Sequence, residues 1–203
     1  MKETPGLPWT CETRVDRVDK ETLKLMARAG CWKIGYGVES GNQELLNTIK
    51  KGITLDQARQ AVKWTKDSGI EVGLSFMLAL PGETPEKARQ TIEFAKELDP
   101  DYSQFCITTP YPGTELYEKA KEYGTLIQDF SAYTIWNPVF VPKGYRGQDE
   151  VLKMQRGAFR AFYYRPSYIA KRLLKIRSIG DLKRNIEGQR VTSKFSSNQA
   201  HNS

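Results

Sequence analysis

The feature that most constrains the fold is an alternation of short strand-like runs with segments of helical periodicity. Four runs rich in β-branched and aromatic residues recur at positions 9–15, 33–38, 70–78 and 103–109. The connections between them are far too long for hairpins, so we expect parallel strands joined by right-handed crossovers. Positions 72–78 show almost no polar alternation, which is typical of a strand covered on both faces. The sequence thus predicts a parallel α/β sheet whose ligand site lies at the carboxyl ends of its strands.

The helical segments between these runs carry start and stop signals. Side chains suited to N-capping precede four of them, at Asp19, Thr54, Thr84 and Thr114. Thr54 with Gln57 has the capping-box spacing, and glycines at the far ends mark where helices stop. Strands and helices therefore alternate from the first run to about residue 124.

Composition divides the 203 residues into four parts. Residues 1–124 hold the alternation, and residues 125–148 form an aromatic, proline-punctuated connection that we expect to wrap over it. Residues 149–187 have the pattern of basic amphipathic helices, interrupted at Pro166. Residues 188–203 lack periodicity and are expected to be disordered.

The net charge of +7 belongs to one segment of the chain. Residues 1–152 contain 19 Lys and Arg against 22 Asp and Glu, whereas residues 153–194 contain 12 against 2. The basic residues of this segment lie among core-like aliphatic residues and form no uninterrupted run. Long basic side chains also cover apolar helix faces at little cost. The charge pattern therefore does not favour a nucleic acid partner.

The three cysteines, Cys11, Cys31 and Cys106, stand too far apart in sequence for a disulfide framework or a local metal motif. We expect reduced thiols at packing positions and no metal ligands in this chain. The sequence has no apolar run near the roughly 20 residues needed to span a bilayer, and its start lacks the apolar stretch of a signal peptide. These features predict a cytoplasmic protein without a membrane span.

Each predicted strand ends in a polar or glycine-rich loop. Taken singly, most of these residues have a structural explanation, since glycines suit left-handed turns and Arg14 with Asp16 forms a surface pair. Glu39 is harder to explain in this way, because it stands at the end of an apolar strand beside two glycines that leave the backbone open. Glu39 is therefore the leading candidate for a ligand contact.

The loops carry four motifs in a fixed order: GVESG at 37–41, KKGIT at 50–54, LPGET at 80–84 and PYPGTELY at 110–117. In this combination the chain resembles the C-terminal half of the catalytic domain of radical SAM enzymes. It is most similar to the cobalamin-binding-domain class, near its anaerobic magnesium-protoporphyrin cyclase and methyltransferase members. The resemblance implies a partial (β/α) barrel fragment with about four parallel strands, followed by a basic helical C-terminal segment.

The resemblance also implies where S-adenosylmethionine lies, namely along the carboxyl ends of the strands. Glu12 and Glu39 are implied to accept hydrogen bonds from its ribose or amino group, and Lys51 to reach its carboxylate. Ser75 matches a position where some relatives carry an acidic ribose ligand. Thr109 matches a backbone contact near the adenine. No catalytic residue is assigned.

The family's CxxxCxxC motif, whose thiolates hold a 4Fe-4S cluster, does not occur in this sequence. We therefore expect a fragment that lacks the N-terminal half of its parent and is inactive alone. The intact parent is expected to cleave S-adenosylmethionine reductively, for radical chemistry or cobalamin-dependent methyl transfer on a small-molecule substrate. The first strand would then be an unprotected sheet edge, which favours a homo-oligomer. Ala79 stands where the family usually has glycine.

Two other functions fit the residues. One is a non-catalytic α/β binding module that uses the basic C-terminal segment. The other is a different α/β-barrel enzyme, with Glu39 as general base and Lys51 as a cation for an anionic substrate. The only histidine, His201, lies in the segment expected to be disordered, which argues against ordinary acid-base chemistry. Residues 108–114 and 133–140 are where we expect substrate walls.

Overall fold

The structure is a computed structural model that describes residues 7–174. Four strands form one parallel sheet in chain order: β1 (Trp9–Thr13), β2 (Cys31–Glu39), β3 (Glu71–Leu78) and β4 (Tyr102–Ile107). This arrangement confirms the predicted α/β fold with four parallel strands. The segment predicted to be disordered, 188–203, and His201 within it lie outside the described residues.

Five helices accompany this sheet: α1 (Lys20–Arg28), α2 (Gln43–Thr48), α3 (Leu55–Asp67), α4 (Pro85–Leu98) and α5 (Glu115–Tyr123). All four predicted N-cap side chains accept a hydrogen bond from a backbone N–H in the first turn of their helix. The short α2 was not predicted, although Asn42 caps it through Leu45 in the same way. Its six residues are too few to show a helical period.

Beyond α5 the chain forms more structure than the predicted connection. β5 (Gly124–Leu126) pairs antiparallel with β6 (Phe140–Pro142), and α6 (Gln148–Tyr163) and α7 (Pro166–Leu174) follow. The two helices confirm the prediction of a helical C-terminal segment, of which residues 175–187 lie outside the described residues. The chain divides into two compact units between Gln155 and Arg156, inside α6. Among the described residues, no helix combines the length and apolar character needed to cross a bilayer.

One face of the parallel sheet, the covered face, packs against helices. Its side chains alternate along each strand and include Ile34, Tyr36, Val72, Leu74, Phe76 and Phe105, all buried. The Phe76 and Phe105 rings stack with centroids 5.7 Å apart. The Tyr36 hydroxyl lies 2.7 Å from the Thr65 hydroxyl of α3, and burial raises the pKa of Tyr36 to about 12. The apolar core thus lies between this face and the helices.

The opposite face, called the open face below, is half-buried. β3 alternates between buried and half-buried positions, so the prediction that this strand is covered on both faces is met on one face only. The reason is that Gly73 and Ser75 alternate with the apolar residues and carry little side chain to bury. Paired residues of parallel strands share a face, so Gly35 and Gly37 of β2 lie on the open face beside them.

The two outer edges of the sheet differ. At β4 the backbone N–H of Ile107 donates to Ile135 O (2.8 Å), and the Gln155 amide donates to Phe105 O (2.8 Å). These contacts satisfy part of the β4 edge. β1 stands at the other end of the strand order, and within residues 7–174 it pairs only with β2. Self-association through β1 stays a prediction.

The last glycine of GVESG has a packing role that can be tested. A Cβ on Gly41 would lie 2.5 Å from Phe94 Cβ and 2.9 Å from Gln90 O, both on α4. We expect Gly41→Ala to lower the free energy of unfolding by about 2–3 kcal/mol, because backbone atoms must move. Chemical denaturation measures the loss. Gly157→Ala is the control, since its Cβ would meet nothing within 4 Å; an equal midpoint for both variants would refute the packing role.

Candidate functional site

Glu12 lies on the open face near the carboxyl end of β1. It pairs in register with Gly35, which in turn pairs with Gly73 of β3. A Cβ on Gly35 would lie 3.1 Å from Glu12 Cγ, so the side chain of Glu12 extends across this glycine. Because Gly35 and Gly73 have no side chains, only backbone lies next to the Glu12 carboxylate on this part of the open face.

The centre of the candidate site is an ion pair between Glu39 and Lys51. Lys51 Nζ donates to Glu39 Oε1 at 2.6 Å. The side chain of Lys51 is 18% exposed and that of Glu39 is 20% exposed. A Cβ on Gly37 would lie 2.8 Å from Glu39 Oε1 and 3.3 Å from Lys51 Nζ. The pair therefore occupies the space that a side chain at position 37 would need.

The backbone of Glu39 is unusual for a residue with a side chain. Its φ is 71°, in the left-handed region, and the pairing of β2 with β3 shifts register between Gly37 and Glu39. Such a bulge at a strand end redirects a side chain, and left-handed backbone at a non-glycine residue costs free energy that the surrounding structure must supply. The fold thus imposes the position of this carboxylate.

Lys51 is also held through its backbone. Its N–H donates to Leu46 O (2.9 Å), and its carbonyl accepts from Arg14 Nη2 (2.9 Å). Arg14 forms a two-pronged pair with Asp16, which lowers the pKa of Asp16. Arg14 therefore does more than the surface pair predicted for it, because it joins the end of β1 to the Lys51 loop. No local pattern indicates this contact, because the two residues stand 37 positions apart.

The other two predicted site residues lie in different surroundings. Ser75 pairs with Gly37 on one side and Gln104 on the other, which places it on the open face beside the Glu39–Lys51 pair. Thr109 follows β4, and its hydroxyl donates to Thr134 O at 2.9 Å. The structure thus brings Glu12, Glu39, Lys51 and Ser75 to one face of the sheet. Thr109 instead forms a hydrogen bond with the connection that follows α5.

The three thiols do not meet at one place in the fold. Cys106 lies on the open face, where burial and the charge of Glu39 raise its pKa to about 11. Cys11 pairs with Ile34 and so belongs to the covered face, where its thiol adjoins that of Cys31. This contact was not predicted. Within residues 7–174 no group of three or more His, Cys, Asp or Glu side chains is arranged to hold a metal ion.

A buried carboxylate, Glu83 of LPGET, was not singled out by the sequence analysis. It is 1% exposed, and its Oε1 accepts from Ala79 N (2.6 Å) and the Tyr145 hydroxyl (2.7 Å). Oε2 has no hydrogen-bond partner in the described part of the chain. Burial raises the pKa of Glu83 to about 7. Its main partner stands 62 positions away, so no local pattern could have indicated the contact.

Glu83 fixes the turn that follows β3. The residue whose N–H it binds, Ala79, has φ 59°, a left-handed conformation that glycine adopts more easily. Ala79 nevertheless occupies the position where the resemblance leads one to expect glycine, and its methyl group is buried against Ile107, Tyr145 and Val151. The turn therefore keeps a glycine-like backbone while it contributes to the core.

Comparisons with known proteins agree on one superfamily. The family model described as the radical SAM superfamily matches residues 1–95. An uncharacterized methyltransferase of Pyrococcus horikoshii is 38% identical over 171 residues, which cover 84% of this chain and 37% of the relative. The anaerobic magnesium-protoporphyrin IX monomethyl ester cyclase of Rubrivivax gelatinosus is 27% identical over 83% of this chain and 30% of its own length.

Solved structures show the same fold. The archaeal Elp3 of Methanocaldococcus infernus superposes with a TM-score of 0.59 at 24% identity, over 75% of this chain and 32% of that one. The radical S-adenosylmethionine methyltransferase TsrM of Kitasatospora setae was solved with cobalamin and a 4Fe-4S cluster bound. It superposes with a TM-score of 0.58 at 19% identity, over 79% of this chain and 36% of that one. The chain thus spans about a third of the length of the relatives it matches.

Proposed function

This chain belongs to the radical SAM superfamily, and on that basis we propose that the open face of its sheet binds S-adenosylmethionine as part of a longer catalytic enzyme. The observation that carries the proposal is the Glu39–Lys51 pair, held at the carboxyl end of β2 over a glycine. The family match at 1–95 includes Glu12, Glu39, Lys51 and Ser75.

The residues on the open face fit the polar groups of S-adenosylmethionine. Glu12 lies across Gly35 and the Glu39–Lys51 pair lies over Gly37, so carboxylates and an ammonium stand directly on the open face beside Gly73. When bound, S-adenosylmethionine would supply radical chemistry or a methyl group for cobalamin-dependent transfer, and the electron for its reductive cleavage would come from the 4Fe-4S cluster of the longer enzyme. The protein's contribution is to bind and orient it and to exclude water.

Each residue has a proposed part in this binding. Glu12 and Glu39 accept hydrogen bonds from ribose hydroxyls or the amino group, and Lys51 donates to the carboxylate. A ligand carboxylate at Lys51 replaces one partner of the ion pair, which releases Glu39 for a ligand donor. Ser75 adds a hydroxyl beside them, and the backbone at Thr109 contacts the adenine. The Thr109 hydroxyl is already bonded to Thr134 O.

The described thiols do not fit a 4Fe-4S cluster, because Cys11 and Cys106 lie on opposite faces of the sheet. We therefore propose that the cluster ligands are supplied from outside these 203 residues, in line with the third of the relatives' length that the chain spans. No step of the reaction is assigned to Cys11, Cys31 or Cys106.

The wider activity is proposed from the relatives. Their names include a methyltransferase and a magnesium-protoporphyrin cyclase, so we propose a small-molecule substrate and, for methyl transfer, cobalamin as a further cofactor. We also propose that the enzyme acts in the cytoplasm. Its three cysteines form no disulfide in the described residues, as is usual for a reducing compartment.

The binding role of Glu39 gives a direct test. In the intact enzyme, Glu39→Ala should weaken S-adenosylmethionine binding by roughly 1–3 kcal/mol, because a partly dehydrated hydrogen-bond acceptor is lost. Calorimetric titration measures the affinity, and thermal melting is recorded in parallel. Glu21→Ala is the control, since it breaks an exposed ion pair with Lys24 on α1. Unchanged affinity together with a lower melting temperature would show that the pair is structural.

A further inference from the structure

Helix α7 exposes its apolar face. Five residues spaced as on one side of a helix are all exposed and all apolar: Pro166, Ile169, Ala170, Leu173 and Leu174. Leu173 is 61% and Leu174 84% exposed, whereas Tyr168 on the opposite side is 4% exposed. A surface helix normally buries its apolar stripe, so this orientation requires a partner for the stripe. We call these five residues the α7 stripe.

Contacts within the same compact unit set this orientation. The Tyr168 ring lies 5.3 Å from the Phe162 ring and 5.2 Å from the Tyr163 ring of α6. The Arg165 guanidinium lies 4.3 Å from the centre of the Phe162 ring, in the turn between the helices. This aromatic cluster binds the back of α7 and leaves the α7 stripe facing outward.

The charge around the α7 stripe is of one sign. Residues 156–174 contain five Lys and Arg and no Asp or Glu, whereas residues 1–155 contain 20 against 22. At 100° per residue, Lys171 and Arg172 fall on the two flanks of the stripe, on either side of Tyr168. The sequence continues with six more Lys and Arg between 175 and 194 against two acidic residues.

An apolar stripe flanked by cations matches the surface of a membrane that carries anionic lipids. Helices of this kind lie in the plane of the interface, where aliphatic side chains enter the acyl boundary and basic side chains reach the headgroups. A nucleic acid would be matched by phosphate contacts and stacking aromatic side chains, and the α7 stripe has no aromatic member. The aliphatic composition therefore favours a lipid surface.

We propose that α7 docks the protein onto an anionic phospholipid membrane, with Ile169, Leu173 and Leu174 inserted and Lys171 and Arg172 at the headgroups. The interaction is peripheral, since α7 spans nine residues within the described part of the chain and no described helix could cross a bilayer. The residues of α7 belong to one compact unit, whereas the proposed S-adenosylmethionine site belongs to the other. The enzyme would in this way be held beside apolar substrates or partners that reside in the membrane.

The test is sedimentation of the 203-residue chain with vesicles. We expect binding to vesicles of phosphatidylglycerol and phosphatidylcholine, weak binding to phosphatidylcholine alone, and loss of binding as salt is raised. Leu173→Glu should weaken binding at least tenfold, because it replaces an inserted apolar side chain with a carboxylate that the anionic headgroups repel. Leu25→Glu is the matched control, since Leu25 is also a leucine on a helix. Its side chain is 62% exposed, and that of Leu173 is 61% exposed.

Several results would overturn the proposal. One is failure of the chain to sediment with anionic vesicles, and another is equal binding by Leu173→Glu and Leu25→Glu. A Leu173-dependent dimer, or Leu173-dependent retention of RNA, without vesicle binding would assign the α7 stripe to a second copy or to a nucleic acid instead. Circular dichroism melts of both variants establish that any loss of binding is not a loss of fold.

Discussion

Anaerobic reconstitution of the 203-residue chain with iron and sulfide is expected to leave it without a 4Fe-4S cluster and without S-adenosylmethionine cleavage. A cluster of this type needs thiolates gathered around one cube. Cys106 lies on the open face, while Cys11 and Cys31 adjoin at the covered face. Burial also raises the pKa of the Cys106 and Cys31 thiols, which disfavours the thiolate form that binds iron.

Iron and sulfide analysis together with the absorbance near roughly 400 nm, typical of thiolate-bound clusters, measures this outcome. The control is a variant in which all three cysteines are changed to serine. We expect it to retain the same background iron as the natural chain. Stoichiometric iron and sulfide in the natural chain, lost in the triple variant, would show that the cysteines converge and that the fragment is complete enough to hold a cluster.

The stability of the chain is expected to fall as pH rises towards neutrality, because of Glu83. Its pKa in the folded protein is about 7, above the usual carboxyl value of 4.5, so the folded state keeps a proton that the unfolded state releases. The contribution of Glu83 is fully present below about pH 4.5 and is lost as pH rises through about 7. The loss amounts to roughly 3 kcal/mol at most, since one pH unit corresponds to about 1.4 kcal/mol.

Glu83→Gln isolates this effect, because glutamine stays neutral and its oxygen can still accept from Ala79 N and Tyr145. The difference in free energy of unfolding between this variant and the natural chain should shift in favour of the variant by about 3 kcal/mol between pH 4.5 and pH 8. Denaturant titrations across that range measure it. Glu118→Gln, at an exposed position of α5, should show no such shift. A constant difference for Glu83→Gln would mean that folding does not raise the pKa of this carboxyl.

Local sequence signals predicted the frame of the fold. Strand runs, capping side chains and terminal glycines act over a few residues, so Asp19, Thr54, Thr84 and Thr114 could be identified as helix caps from their neighbours alone. The short β5 and β6 could not, because three residues carry no measurable period. Parallel pairing followed from the length of the connections, because segments of this length are too long to be hairpins.

The sequence by itself also determined that Glu39 stands at the end of an apolar strand, and its resemblance to radical SAM enzymes implied Glu12, Glu39, Lys51, Ser75 and Thr109 for one site. Only the tertiary structure decided how they meet. The Glu39 carboxylate turns onto Lys51 because a register shift and a left-handed φ redirect it, and neither is encoded in a short pattern.

Contacts between distant segments were likewise decided in three dimensions. Arg14 reaches the carbonyl of Lys51 across 37 positions, and Tyr145 reaches Glu83 across 62. The periodicity of α7 showed one apolar face but not its direction, which the aromatic contacts of Tyr168 set. A helical period states which residues share a face, whereas the neighbours that pack against the helix decide whether that face is buried or exposed.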